Sequence, residues 1–414
     1  MLGPLLGAVA SGVALALLLR RPAPPPPPRV ERAGPPATVI APAGDASAVP
    51  TTAPRPVGSG PVRDGPPAMQ HLDARRTNRS PFVAPGRPRV LWTYAAGEAI
   101  AVAPVVSGDR AIVATLGGRL AAVGLDGRPR WALELGARIY GSPLVVRDTV
   151  YAGLDEGHVV AVDASKGTVR WKLDVAGDAD TALAPTPDGG LVFAAKNVVH
   201  AVRADGTVRW RHKHRRKVFG APAVADDGTI VVGAQDGAVL ALAPDGALKW
   251  RATLGRDADA GLAIGDDGAV YAGTDGGDVV ALAPADGSIR WRAALGGFVR
   301  GPLSVGRDGA VLASTYGPAP AVVALDGASG RVLWRFGVRG TGAREFGVHG
   351  APLEDPAGTL VFGAQDDTLY ALHPDGTLAW KLRLGGDVDA TVALAADRLL
   401  LVGGGDGLLV ALGE

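Results

Sequence analysis

Charged or aromatic side chains stand at one equivalent position in seven of eight successive segments of this 414-residue chain, Tyr140, Asp180, Phe219, Asp259, Arg300, His349 and Asp389, with Ala101 at that position in the remaining one. Two residues earlier come Arg138, Asp178, Lys217, Asp257 and Asp387. Residues two apart on a strand share a face, so both sets are expected to line one mouth of a common central channel. Tyr140, Asp180, Phe219, Asp259, Arg300, His349, Asp389, Arg138 and Lys217 are therefore the candidate ligand-binding residues. Three chemistries fit them. Acidic and basic segments could neutralise one another, at about 0–1 kcal/mol per partly exposed pair. A funnel with convergent polar groups and the aromatic Tyr140 and Phe219 could take a small ligand. Carboxylates are also the hard donors that calcium prefers, but these aspartates sit on different segments without a ligand-spaced loop, and no metal site is assigned.

Other chemistry is narrowed by what is missing. Cysteine is absent, which removes thiolate catalysis, a disulfide framework, Cys-bound metal and a lipid-modified cysteine. There is no nucleophile motif and no phosphate-cradling glycine loop. His349 is a lone candidate acid or base, so no catalytic residue is assigned. The basic run Arg209-Trp210-Arg211-His212-Lys213-His214-Arg215-Arg216-Lys217 is expected in a loop, either solvated or facing an anionic surface. It lacks the stacking aromatics of a nucleic-acid site, and a net charge of +1 creates no global field for one.

The elements that position these residues are marked by tryptophan. Trp92, Trp131, Trp171, Trp210, Trp250, Trp291, Trp334 and Trp380 recur about every 40 residues, the period of a repeat architecture. Asp-Gly turns precede most of them, as in Asp205-Gly206, Asp245-Gly246, Asp286-Gly287 and Asp375-Gly376. Upstream lie short apolar runs such as Val239-Leu240-Ala241-Leu242 and Ile230-Val231-Val232-Gly233. Four short strands per repeat, with no helical period between them, predict antiparallel blades. One such meander cannot bury both faces alone, and the solution is a ring. The expected fold is all-β, an eight-bladed propeller over residues 84–414. After Trp380 the chain supplies only three strands, so the last blade is expected to be completed by the N-terminal strand ending at Trp92.

Ala161-Val162-Asp163-Ala164-Ser165-Lys166-Gly167-Thr168-Val169-Arg170-Trp171, repeated at Ala324 to Trp334, resembles the tryptophan-docking motif of the pyrroloquinoline-quinone (PQQ) repeat family. No Trp is followed by Asp, so the pattern is not that of WD40 repeats. The resemblance implies that each Trp packs between adjacent blades near a glycine of its neighbour. It also implies two branches of function. Quinoprotein dehydrogenases hold PQQ with calcium in the funnel, and many carry an adjacent cysteine pair. This chain, with compact blades and no cysteine, is more similar to the cofactor-free, BamB-like branch, though it lacks the lipoprotein cysteine.

Residues 1–21 hold an apolar run, Leu2 to Leu19, followed by Arg20 and Arg21. That length suits a signal peptide or membrane anchor, although positive charge after the run would hold the downstream chain inside. Residues 22–83, with polyproline at Pro24 to Pro28, are expected to form a disordered, semi-rigid tether; Asn78-Arg79-Ser80 is a chance sequon. The chain is expected in the bacterial cell envelope, periplasmic or membrane-anchored. There it would act as a monomeric, non-enzymatic scaffold for a protein partner or envelope component, with no cofactor; the alternative is a PQQ-dependent oxidoreductase.

Overall fold

The computed structural model describes residues 68–343, 346–388 and 390–414. The apolar run, the polyproline run and the sequence up to residue 67 lie outside the described residues. So does Asp389.

Thirty-two strands form eight four-stranded antiparallel sheets, with no helix among the described residues. Blades one to seven span residues 105–134, 144–174, 184–213, 223–253, 263–294, 304–337 and 353–383. Innermost strands of neighbouring blades touch, including those of the eighth and first. The sequence dictates the local turns. In the Asp-Gly hairpins Asp245 Oδ1 accepts the Ala247 N–H at 3.0 Å and Asp286 Oδ1 accepts that of Ser288 at 2.9 Å, the Asx-turn chemistry expected there. The second and third strands of the blades are buried at nearly every position, and Ile230–Gly233 and Ala238–Leu242 at all of them. Neighbouring blades cover both of their faces, which is why they read as unbroken apolar runs. The outer strands alternate instead, as in Leu248–Thr253. Each leaves one edge unpaired, and in four blades the indole on it is flanked by two basic residues, as by Lys249 and Arg251 or Arg290 and Arg292, a common protection against strand addition.

The indoles tie blade to blade. Trp250 Nε1 donates to Pro284 O at 2.8 Å, and Trp291 Nε1 to Gly327 O at 2.9 Å. Trp92, Trp131, Trp171, Trp210 and Trp334 make the equivalent bond to Leu125, Ala164, Ala204, Pro244 and Pro374. Trp380 packs in the cluster that holds Ala84 and Phe82. Ring closure follows the expected scheme: Arg89–Ala95 pairs antiparallel with Leu408–Gly413, Trp92 opposite Ala411. The eighth blade thus takes its outer strand from the beginning of the propeller and the other three from its end.

The tether boundary at residue 84 needs correction. Residues 68–83 are a strap laid across the ends of the innermost strands. Ala68 bridges Val145 in blade two, and the carbonyls of Ala74, Arg75, Thr77 and Asn78 accept N–H groups from Val224, Ile264, Val305 and Glu354 in blades four to seven. Val83 O accepts from Arg398 in blade eight. Met69, Thr77, Asn78 and Ser80 are buried. Asn78 Nδ2 donates to Ala351 O and Pro352 O at 3.2 and 2.9 Å, so the sequon is a structural amide. Composition missed this because the strap is held by its backbone and by buried polar side chains rather than by an apolar pattern.

Candidate functional site at the axial mouth

The mouth opposite the strap is built by three positions per blade. The candidate residues precede the innermost strands. The turn between the second and third strands then reaches back, and its N–H bonds to the carbonyl two residues before each candidate. Asp155 donates to Arg138, Lys196 to Asp178, Gln235 to Lys217, Asp275 to Asp257 and Tyr316 to Phe298, at 2.8–3.2 Å. Leu116, Gln365 and Gly405 do the same to Ala99, Gly347 and Asp387. These bonds hold each turn against the segment that leads into its own blade, and from there the turn side chain meets the candidate residue of the next.

The pairings follow from that offset. Gln235 Nε2 donates to Asp259 Oδ2 at 3.4 Å, Arg300 grips Asp275, and His349 stacks on Tyr316 with ring centroids 4.4 Å apart. The Arg300 bond is bidentate, Nε to Oδ1 at 2.6 Å and Nη2 to Oδ2 at 2.9 Å. Lys217 Nζ donates to Asp180 Oδ2 at 2.8 Å and lies 4.8 Å from the centroid of the Phe219 ring. Arg300 lies at the same distance from Phe298. Arg138 Nη1 donates to the Tyr140 hydroxyl at 3.2 Å. Asp389 lies outside the described residues. The expected neutralisation of acidic by basic blades therefore holds for Asp180 with Lys217. It does not describe Asp259, because Arg300 takes Asp275 instead.

Asp259 is the electrostatic centre of this mouth. It is 9% exposed, and its Oδ1 has no hydrogen-bond partner. Burial, then the charges of Asp275 and Asp257, push its pKa up to about 7. Asp155 is raised in the same way, by burial and then by Asp178 and Asp180. One carboxylate oxygen from each of Asp257, Asp259 and Asp275 lies within 4.8 Å of the others. These three aspartates share blade five, contrary to the expectation that the aspartates of the mouth are scattered over different blades. They are hard donors, but Arg300 already supplies positive charge on both oxygens of Asp275.

Asp275, Gln235, Phe298 and Tyr316 were not singled out by sequence. The signal is present: Asp155, Gln235, Asp275 and Gln365 each stand two residues after a strand glycine, at Gly153, Gly233, Gly273 and Gly363. The basic run is also placed differently from the expectation. Its first part is strand, Val208–Lys213, and its end is tied down by Asp236, which meets His214 Nε2 at 3.0 Å and Arg215 Nε at 2.6 Å.

Eight four-stranded blades locked by a Trp-to-turn bond define a PQQ-type propeller. The family described as outer membrane protein assembly factor BamB matches at residues 83–194, 155–243, 235–364 and 321–414, which together span the propeller. The chain belongs to that family. An outer membrane protein assembly factor BamB from Burkholderia pseudomallei (strain K96243) is 30% identical over 119 residues, 28% of this chain and 31% of that protein. The match thus spans about a third of that relative's length. The crystal structure of BamB from Moraxella catarrhalis superposes with a TM-score of 0.65 at 18% identity, covering 79% of this chain and all of that one. A europium-containing methanol dehydrogenase superposes at 0.71 with 12% identity, over 84% of this chain and 97% of that one. At such identities the structural likeness speaks for the fold alone.

Proposed function

We propose that this chain is a non-enzymatic scaffold of the bacterial cell envelope that docks a protein partner in outer-membrane protein assembly. The observation that carries this reading is how the axial mouth spends its side chains. PQQ is a flat tricarboxylate, and holding it calls for free cations and an open aromatic face. Here Lys217 is committed to Asp180 and Arg300 to Asp275. Phe219, Phe298 and Tyr316 each have one face covered, by Lys217, Arg300 and His349. Asp257, Asp259 and Asp275 add negative charge where a polyanion would have to enter. This arrangement supports the cofactor-free reading over the quinone one.

What remains for recognition is the rim. Val169, Leu248, Ile289, Val332 and Leu378 are 44–50% exposed, one per blade, two residues before the docked indole. Each but Leu378 has an arginine or lysine beside it in sequence, and together they offer a protein partner apolar contacts among basic groups. The apolar segment at residues 2–19 and the proline-rich stretch after it would deliver and tether the disc. Cell fractionation with protease accessibility tests the location, with protection in intact cells and cleavage after the outer membrane is opened as the expected result. Titration of the purified chain with PQQ and calcium tests the chemistry. No saturable binding and no dye-linked alcohol oxidation are expected; a saturable signal with turnover would replace this reading by the oxidoreductase one.

A further inference from the structure

The strap buries a cation that has one long hydrogen bond. Arg76 is 1% exposed, and its Nε and Nη1 have no hydrogen-bond partner. Its Nη2 reaches only Gln70 Oε1, at 3.4 Å. His71 is equally buried; neither ring nitrogen makes a hydrogen bond of good geometry, although the backbone of Arg76 and of Leu303 lies close enough to raise its pKa. The two are neighbours: burial, and then the charge of Arg76, hold the His71 pKa well below its ordinary value, so the imidazole is neutral. Burial lowers Arg76 itself only to about 10, which leaves it charged at neutral pH. The carboxylate that faces it is Asp73, whose two oxygens already accept from the Thr77 backbone N–H and hydroxyl. Arg75 and Arg79, on either side in sequence, both pair with Asp266 at 3.1 and 2.9 Å.

Closing the end of a channel does not call for such a residue. An apolar side chain of the same volume would fill the space without the desolvation cost of a lone guanidinium. The backbone is also bent to hold these groups inside: His71, Leu72, Arg76 and Asn78 have φ of 66°, 68°, 65° and 61°. Side chains other than glycine rarely adopt that region, and clusters of such residues accompany binding sites. Water could satisfy the N–H groups, but with Asp73 engaged by Thr77 a small anion would satisfy them through the stronger, charge-assisted bonds.

We propose that the strap encloses a small monovalent anion, of chloride's size and charge, held by the Arg76 guanidinium and an N–H of His71. A small anion suits the two guanidinium nitrogens that lack a hydrogen-bond partner beside a neutral imidazole, and complete burial of both side chains favours a compact ion. Because the strap bonds to blades two, four, five, six, seven and eight, occupancy fastens it across the disc. By mass action the anion then stabilises the whole propeller.

Thermal unfolding of the full chain in sodium chloride against sodium gluconate, at equal ionic strength, reads this directly. The midpoint is expected to rise by about 2 °C per tenfold increase in chloride, and Arg76→Met to make it flat. Crystals of the unaltered chain grown in bromide should show an anomalous peak within hydrogen-bond reach of Arg76, a readout that does not depend on the variant folding. Equal chloride responses in the two proteins, or only water beside the guanidinium in the bromide crystals, would overturn the proposal.

Discussion

Arg300 of blade six closes on Asp275 of blade five with two parallel hydrogen bonds, and both partners are largely buried, at 14% and 13% exposure. This pair joins two blades at the mouth and offsets the charge of Asp275 beside Asp259. Removing only the cation leaves a buried carboxylate beside two others. Arg300→Met should cost about 2–4 kcal/mol in urea unfolding at pH 7.5. Adding Asp275→Asn should return most of it, and additive losses in the double variant would contradict the coupling.

Asp259 should make the propeller less stable as pH rises. Its folded pKa of about 7 lies above the ordinary 3.8, so between those values the folded state binds the extra proton. The stabilisation is complete below about pH 4 and disappears as pH climbs through 7. A shift of that size corresponds to at most about 4 kcal/mol. Asp259→Asn should abolish this component and be the more stable protein at pH 8; unfolding curves at pH 5 and pH 8 give the comparison.

Trp250 rests on Gly287, where φ is +71° and an added Cβ would fall 2.4 Å from the indole Cε3. Gly287→Ala therefore suffers both a backbone penalty and a collision with a ring that is itself only 6% exposed. The expected loss is about 2–4 kcal/mol, and Trp250→Ala should lose about 3–5 kcal/mol by emptying the same junction. Calorimetry on both variants should show losses that do not add, since each breaks one contact.

Asn78→Ala removes two hydrogen bonds and leaves the carbonyls of Ala351 and Pro352 short of a buried donor. A loss of about 2–3 kcal/mol is expected. Hydrogen exchange should locate the loosening in residues 68–84 and in the ends of the inner strands they cross. In a glycosylating host this asparagine should stay unmodified, which mass spectrometry reads.

The sequence made the ring legible because its signals are local and repeated. Each Asp-Gly turn is fixed by its own side chain, and each Trp stands one repeat from the next. The strand split between the two chain ends was also visible, as a count that came out one short. The site was legible only in part. Asp180 and Lys217 could be aligned blade by blade, but the offset that brings a turn residue to the next blade's strand depends on tertiary geometry. Arg300 therefore finds Asp275 instead of Asp259. The strap was hidden for another reason: His71, Arg76, Asn78 and Ser80 are polar, and their burial rests on backbone bonds that no periodicity announces.

Scaffold function is tested most directly by photo-crosslinking in living cells, with a reactive residue placed at Leu248 or Ile289 on the rim. Mass spectrometry should identify the same envelope-assembly protein from both positions, and not from a probe at the buried Leu240. If neither rim position captures a protein while the mouth proves to bind quinone, the disc is not the docking platform described above.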